Sequence, residues 1–129
     1  MQKDFDGWND EKKKAHANED YLPLYYKREV RWCRLGTNVG FEQDGTGRSY
    51  SRPVLILKGL SRHVCIVVPL TTSTKQNRYH VSVGNVGGKS ATAIISQIRL
   101  IDTRRLDQHI ETVDKKIFAG IRKAIKDML

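Results

Sequence analysis

Short apolar stretches at regular spacing dominate the middle of the chain. From residue 29 to residue 35, apolar and polar positions alternate with the period of two that is typical of a half-buried strand. Four more strand-like runs follow: 53–57, 63–70, 79–83 and 91–96. Gly59 lies in the first gap between these runs and a glycine-rich stretch lies at 84–88, as in hairpin turns. The pattern predicts a mainly β protein built as a small antiparallel barrel.

The apolar period changes near residue 113. Apolar side chains recur at helical spacing, so one face of a helix would collect them. This face consists of Val113, Ile117, Phe118, Ile121, Ala124, Ile125 and Met128. Thr112 is the predicted N-cap, with Asp114 in the first turn. The segment is therefore predicted to be a terminal amphipathic helix that caps the barrel.

The N-terminal region is more polar than the rest. Residues 6–19 are predicted to form a short surface helix that begins at the N-cap Asn9, and residues 21–26 an extended connector around Pro23. A long stretch rich in Gly, Asp and Ser, 36–51, follows the first strand, and such long connections are usually functional or mobile. We divide the chain into an N-terminal extension with its connector, 1–27, and a barrel with its C-terminal helix, 28–129.

The composition limits the classes of binding partner and the cellular compartment that we expect. With 129 residues, 23 Lys and Arg against 14 Asp and Glu, and a net charge of +9, the chain is expected to bind a polyanion. Cys33 and Cys65 are too few for a secreted disulfide framework. The polar N-terminus is unlike a signal peptide, and no apolar run is long enough to cross a bilayer. We expect a cytoplasmic protein that does not bind membranes.

Candidate chemistry is confined to polar residues at strand ends. No metal-ligand spacing, phosphate-binding glycine loop or serine-nucleophile motif is present, so neither a metal nor another cofactor is expected. The polar strand-end residues are Glu42, Gln43, Arg52, Thr71–Thr74, Gln97, Arg99 and Asp102. A guanidinium beside hydroxyl donors suits a phosphodiester, because it offers bidentate contacts and stabilises charge on the phosphorus oxygens. Taken singly, each residue is also compatible with turn chemistry or a solvated loop.

Three sequence blocks in this order resemble the MazF/PemK (Kid) family of toxin–antitoxin ribonucleases. They are GFEQDGTGRSYSRPVLIL at 40–57, VPLTTSTK at 68–75 and SQIRLIDTRRL at 96–106. The resemblance implies a homodimer of SH3-like barrels, of the CcdB/Kid/MazF type, that cuts single-stranded RNA without a metal. It implies attack by the ribose 2′-hydroxyl, which leaves a 2′,3′-cyclic phosphate and a 5′-hydroxyl. It also implies an antitoxin partner, and operator DNA as a ligand of the toxin–antitoxin complex.

The resemblance assigns roles to individual residues. The family arginine falls on Arg52, the family threonine on Thr71, the acidic loop residue on Glu42 and the glutamine of the third block on Gln97. One branch of the family uses an aspartate before that glutamine as a base, partnered by an arginine two residues earlier. This chain has Ser96 and Ile94 at those positions, so that acid–base pair is absent.

RNA binding is expected from the same face. Three aromatic residues are candidates for base stacking: Phe41, Tyr50 and Tyr79. Four cations are candidates for backbone contacts: Arg48, Lys75, Arg78 and Arg99. The remaining candidates for RNA contact are Gln43, Thr72, Ser73, His80 and Gln97. The general base is predicted to be Glu42 or His80. The aromatics are equally compatible with packing at the barrel rim, and Trp32 with the core or a dimer interface.

A non-catalytic module is the competing interpretation. CcdB-like proteins share the fold but bind a gyrase, and a toxin of this family also binds operator DNA with its antitoxin. Arg52 and Thr71 favour the ribonuclease, since a gyrase binder does not need an arginine–hydroxyl pair. The positive charge also suits an acidic, initially disordered antitoxin segment that folds on docking.

Overall fold

The computed structural model describes residues 22–34, 51–73 and 77–129. The helix predicted over 6–19 and nearly all of the long loop predicted over 36–51 lie outside these residues. Seven strands are described: β1 Glu29–Arg34, β2 Ser51–Gly59, β3 Val64–Thr71, β4 His80–Val86, β5 Lys89–Ile94, β6 Arg99–Asp102 and β7 Leu106–Thr112. One helix, α1 Lys115–Met128, ends the chain, and 3₁₀ turns at Ile95–Gln97 and Thr103–Arg105 flank β6. None of the helices in these ranges is long and apolar enough to span a membrane.

The strands form one curled antiparallel sheet, in the order β4-β5-β3-β2-β1-β7. Strand β3 is shared, because its end at Leu70 and Thr71 pairs with β5 while its first half, 64–67, pairs with β6. The sheet therefore bends around β3, and β6 closes part of a barrel. The predicted mainly β fold with one C-terminal helix is confirmed.

Both faces of the central strands are buried, which explains the continuous apolar run in β2. Leu55 and Leu57 face α1, whereas Val54 and Ile56 face the side covered by β6 and by the start of β7. The helix side also buries Val30, Val68, Leu70, Val83, Ala91, Ala93, Ile95, Val113, Phe118, Ile121 and Ile125. The other side also buries Cys33, Cys65, Val67, Ile101 and Leu106. The two faces give the sheet two cores.

The C-terminal helix packs with the predicted face inward, but it begins later than predicted. Asp114, and not Thr112, is the N-cap, and its side chain accepts hydrogen bonds from the Lys116 and Ile117 N–H groups. Thr112 instead pairs with Glu29 in the β1–β7 ladder. The sequence pattern did not predict strand β7, because most of its residues are polar and exposed and show no alternation of apolar and polar positions.

Two smaller expectations also change. The predicted turn at 84–88 narrows to Gly87 and Gly88, since Gly84 and Asn85 continue β4 beyond a bulge at Ser82. Trp32 is 40% exposed, so it is not part of the core of the described chain, and a role at a dimer interface stays a prediction.

Candidate functional site

Arg52 lies near the start of β2, and Thr71 is the last residue of the neighbouring strand β3. The β2–β3 register pairs Val54 with Pro69, and continuing it by two residues sets Arg52 opposite Thr71. Directly opposite residues project from the same face of an antiparallel pair. Both side chains are half-buried, and Arg52 Nη2 reaches the Leu70 carbonyl oxygen at 3.4 Å. A guanidinium and a hydroxyl thus share one surface.

The Thr71 hydroxyl is oriented by the chain that follows it. Its Oγ1 accepts a hydrogen bond from the Ser73 backbone N–H at 3.0 Å, a local turn typical of Ser and Thr. A hydroxyl that accepts this bond retains its own proton for donation to another group. Thr72 and Ser73 are exposed beside it. The Thr71 hydroxyl proton is therefore available for donation to a ligand.

The sheet continues from Thr71 into a row of hydroxyl side chains. Thr71 pairs with Thr92 on β5, and Thr92 pairs with Ser82 on β4, so all three project from one face. We call Ser82, Thr92 and Thr71 the hydroxyl row. Thr92 and Ser82 were not among the predicted site residues. The sequence does show that both residues are polar positions in strand-like runs with apolar neighbours. It does not show which residues of the two runs pair with each other.

His80 lies on the face of the hydroxyl row, two residues before Ser82. Its Nδ1 is 2.9 Å from Asn77 Oδ1, which also accepts from the Tyr79 N–H at 2.8 Å. Because Asn77 Oδ1 is an acceptor, a neutral His80 ring donates through Nδ1 and keeps the lone pair on Nε2. His80 is thereby oriented as a proton acceptor at the margin of the site.

The turn before β4 presents an aromatic surface with a cation on it. Arg78 Cζ lies 5.4 Å from the centroid of the Tyr79 ring, in cation–π geometry, and Tyr79 is 38% exposed. Such a pair offers a face for base stacking and a charge for the backbone.

Three arginines lie near the buried thiol of Cys33, which is opposite Arg52 on β1. Arg34, Arg99 and Arg105, which we call the arginine cluster, all act electrostatically on Cys33, which pairs with Arg52 across β1 and β2. Burial still dominates and raises the Cys33 pKa to about 11. Arg105 Nη1 donates to the Arg34 carbonyl oxygen at 3.0 Å. Of these three arginines, only Arg99 was predicted.

Acidic side chains are absent from the sequence of the central strands. From residue 51 to residue 101 the chain contains no Asp or Glu but seven Lys or Arg. The first acid afterwards is Asp102, whose pKa falls to about 2 because Arg104 donates hydrogen bonds to it. A surface of this kind attracts a polyanion.

The remaining predicted residues divide into two groups. Gln97 is exposed in the 3₁₀ turn before β6, next to Ser96, and Arg99 is exposed on β6 opposite Val67. Seven predicted residues lie outside the described ranges: Phe41, Glu42, Gln43, Arg48, Tyr50, Thr74 and Lys75. Within the described ranges, no group of three or more His, Cys, Asp or Glu side chains is arranged to hold a metal ion.

Comparisons with known proteins agree on one family. The model of the family described as "PemK-like, MazF-like toxin of type II toxin-antitoxin system" matches residues 26–129. MazF from Deinococcus radiodurans superimposes with a TM-score of 0.65 at 21% identity, covering 84% of this chain and 97% of that one. An endoribonuclease from a mycobacterial species, in complex with its cognate antitoxin, gives 0.62 at 18% identity, covering 81% and 93%.

A MazE–MazF structure from Deinococcus radiodurans also gives a TM-score of 0.62, at 19% identity, covering 84% of this chain and 96% of that one. A search of curated protein sequences finds no match. At these identities the solved structures establish the fold, and the family model, which spans most of the chain, carries the family.

Proposed function

Because this chain belongs to the PemK-like, MazF-like toxin family of type II toxin–antitoxin systems, we propose that it is an endoribonuclease toxin that cleaves single-stranded RNA at a short sequence motif without a metal. One observation carries the proposal: Arg52 and Thr71 share one face of a sheet in which strands β2 to β5 contain no acid. That arrangement suits a phosphodiester and not a neutral or cationic ligand.

The proposed reaction is an internal transesterification. The ribose 2′-oxygen attacks the adjacent phosphorus as its proton passes to a base. The bond from phosphorus to the 5′-oxygen of the next nucleotide then breaks, and that oxygen takes up a proton. The products are a 2′,3′-cyclic phosphate and a 5′-hydroxyl, with no oxidant or cofactor consumed.

Arg52 serves as the electrostatic stabiliser in this mechanism. A guanidinium keeps its proton in proteins, so Arg52 does not act as the base. It holds the scissile phosphate and stabilises the charge that builds on the non-bridging oxygens, an effect worth roughly 3 kcal/mol for each well-aimed donor. Thr71 donates its hydroxyl proton to one of these oxygens, which its bond from Ser73 leaves it able to do.

The general base is Glu42 or His80. The family's aspartate position is Ser96 and its arginine partner position is Ile94, and neither β2 nor β3 contains a carboxylate. His80 is supported by its bond to Asn77, which leaves Nε2 as the basic nitrogen of the neutral ring. An activity that is lost in His80→Gln but not in Glu42→Gln would select His80.

RNA binding is proposed for the remaining candidate residues. Tyr79 with Arg78 forms a stacking surface, and Phe41 and Tyr50 are the other residues proposed to stack on bases. Arg99, Arg48 and Lys75 are proposed to contact the RNA backbone. Gln43, Thr72, Ser73 and Gln97 contribute polar contacts. Affinity for a non-cleavable single-stranded RNA is expected to fall steeply with salt, and a flat salt response would contradict backbone contacts.

The proposed protein partners are those that a positively charged surface would bind. An acidic antitoxin segment that folds on docking would cover the basic face and block RNA, and the structural neighbours include toxins in complex with MazE or a cognate antitoxin. A homodimer is proposed, with the exposed Trp32 a candidate interface residue. Operator binding would belong to the toxin–antitoxin complex, and the toxin would act in the cytoplasm on mRNA.

The test is cleavage of a long RNA by the purified chain, with and without chelator, followed by mapping of 5′-hydroxyl ends. We expect chelator-resistant cuts at one short motif, abolished in Arg52→Ala without a change in fold. Arg122→Ala, an exposed helix arginine over Phe118, is the matched control for loss of one positive charge. Normal cleavage by Arg52→Ala would refute the assignment, and the absence of any cleavage by wild type would favour the non-catalytic module.

A further inference from the structure

We propose that Thr92 and Ser82 form a ribose subsite, which binds the sugar of a nucleotide next to the scissile phosphate. This inference rests on the proposed function, and it adds two residues that neither the sequence motifs nor the family resemblance single out. They extend the site from β3 across β5 to β4.

The geometry follows from two observed registers. Thr71 lies directly opposite Thr92, and Thr92 directly opposite Ser82. Neighbouring strands are about 4.8 Å apart, so the hydroxyl row extends roughly 10 Å away from Thr71. A strand of RNA gripped at Arg52 and Thr71 and running across the sheet would therefore bring its neighbouring sugar over Thr92.

Thr92 and Ser82 are available for a ligand. Thr92 is half-buried, and its hydroxyl makes no hydrogen bond within the described part of the chain. Ser82 is exposed, and its Oγ only accepts a long bond from the Gly84 N–H at 3.4 Å, which leaves its proton to be donated. The bulge after Ser82, where Gly84 has φ +91°, increases the local twist and directs this side chain.

The chemistry of these two residues favours a ribose over a phosphate. Thr92 and Ser82 are neutral, and each hydroxyl can both donate and accept, as a ribose 2′-hydroxyl does. Cross-strand Thr and Ser pairs also stabilise a sheet by themselves. A structural role, however, would not make the protein sensitive to a single 2′-hydroxyl of the substrate.

The experiment uses chimeric oligonucleotides that carry the cleavage motif with ribose only at the cut nucleotide. One further ribose is restored on the 5′ or the 3′ side. We expect wild type to prefer one restored substrate by about three- to tenfold in kcat/KM, the size of one net hydrogen bond. Thr92→Val with Ser82→Ala should lose this preference, whereas Thr92→Ser should retain it. Thr112→Val, on the exposed far edge strand, is the matched control and should behave as wild type.

The outcomes separate this proposal from the nuclease proposal. Cleavage without any preference in wild type, or a preference that survives in the double variant, would overturn the subsite alone. If wild type cuts nothing, the nuclease proposal fails. The subsite is then tested by fluorescence anisotropy, with the same chimeras carrying a 2′-O-methyl group at the motif nucleotide. An affinity for RNA that is the same with and without the restored ribose would overturn the subsite. Thermal melts of the variants exclude loss of fold as the cause.

Discussion

Replacing Thr71 with valine removes one hydroxyl and keeps the branched shape of the side chain. The structural cost comes from one interaction, the 3.0 Å hydrogen bond from the Ser73 N–H to Thr71 Oγ1. Ser73 is exposed, so water can take the place of the lost acceptor. We expect Thr71→Val to lower the free energy of unfolding by about 0.5 to 1 kcal/mol. For a domain of this size that corresponds to roughly 2–5 °C in Tm.

The catalytic cost should be much larger. A donor aimed at a non-bridging phosphate oxygen acts where charge develops, and removing one such donor lowers kcat by about 10²–10³-fold. The lost hydroxyl is therefore expected to cost several times more in transition-state stabilisation than in folding. Thr71→Ser restores the hydroxyl without the methyl group and should recover most of kcat.

The assay is single-turnover cleavage of a fluorogenic oligonucleotide that carries the mapped motif, compared with a thermal melt of each variant. A kcat for Thr71→Val within threefold of wild type would refute the role of this hydroxyl. Equal activities of the serine and valine variants would refute it as well, because packing and not donation would then explain the loss.

Three further predictions concern stability and reactivity. Asp114→Ala removes the N-cap of α1 and should cost about 1 kcal/mol of unfolding free energy, while Asp114→Ser restores it; an unchanged denaturation midpoint would contradict the cap. Because Arg104 lowers the Asp102 pKa to about 2, the stability that Asp102 adds is present above about pH 4 and is lost as the pH falls through 2. The difference between wild type and Asp102→Asn should shrink over that interval, and a constant difference in acid denaturation would argue against the pair. Burial raises the pKa of Cys33 to about 11 and of Cys65 to about 12. An aromatic disulfide reagent at pH 8 should therefore react with neither thiol in the folded protein and with both after denaturation. Rapid labelling of the folded protein would contradict the burial of these thiols.

The alternation of apolar residues was sufficient to identify the main elements. The run at 53–57 lies within strand β2, and the helical period after residue 113 marks α1, which buries Phe118, Ile121 and Ile125. These predictions succeed because each depends on the pattern within one segment. The N-cap was wrong for the opposite reason: β7 holds Thr112 in its ladder with Glu29, a partner more than eighty residues away, and the helix must start after it.

The candidate site shows the same division. Arg52 and Thr71 stood out because each lies at the end of an apolar strand within a block of residues that resembles one family. Thr92, Ser82, Arg34 and Arg105 did not, since a single hydroxyl or guanidinium on a strand or in a turn is not distinctive in isolation. They became part of the site only through their neighbours on other strands.

The amino-acid order therefore determined the strand and helix segments, which side chains share a face within each strand, the surplus of positive charge and the pair on which the proposed chemistry depends. Only the tertiary structure decided which strands are adjacent and in which register. Register depends on turn lengths, on bulges such as the one after Ser82 and on how the sheet bends at β3, and these are set by packing between segments distant in the chain. Local periodicity contains no information about that packing.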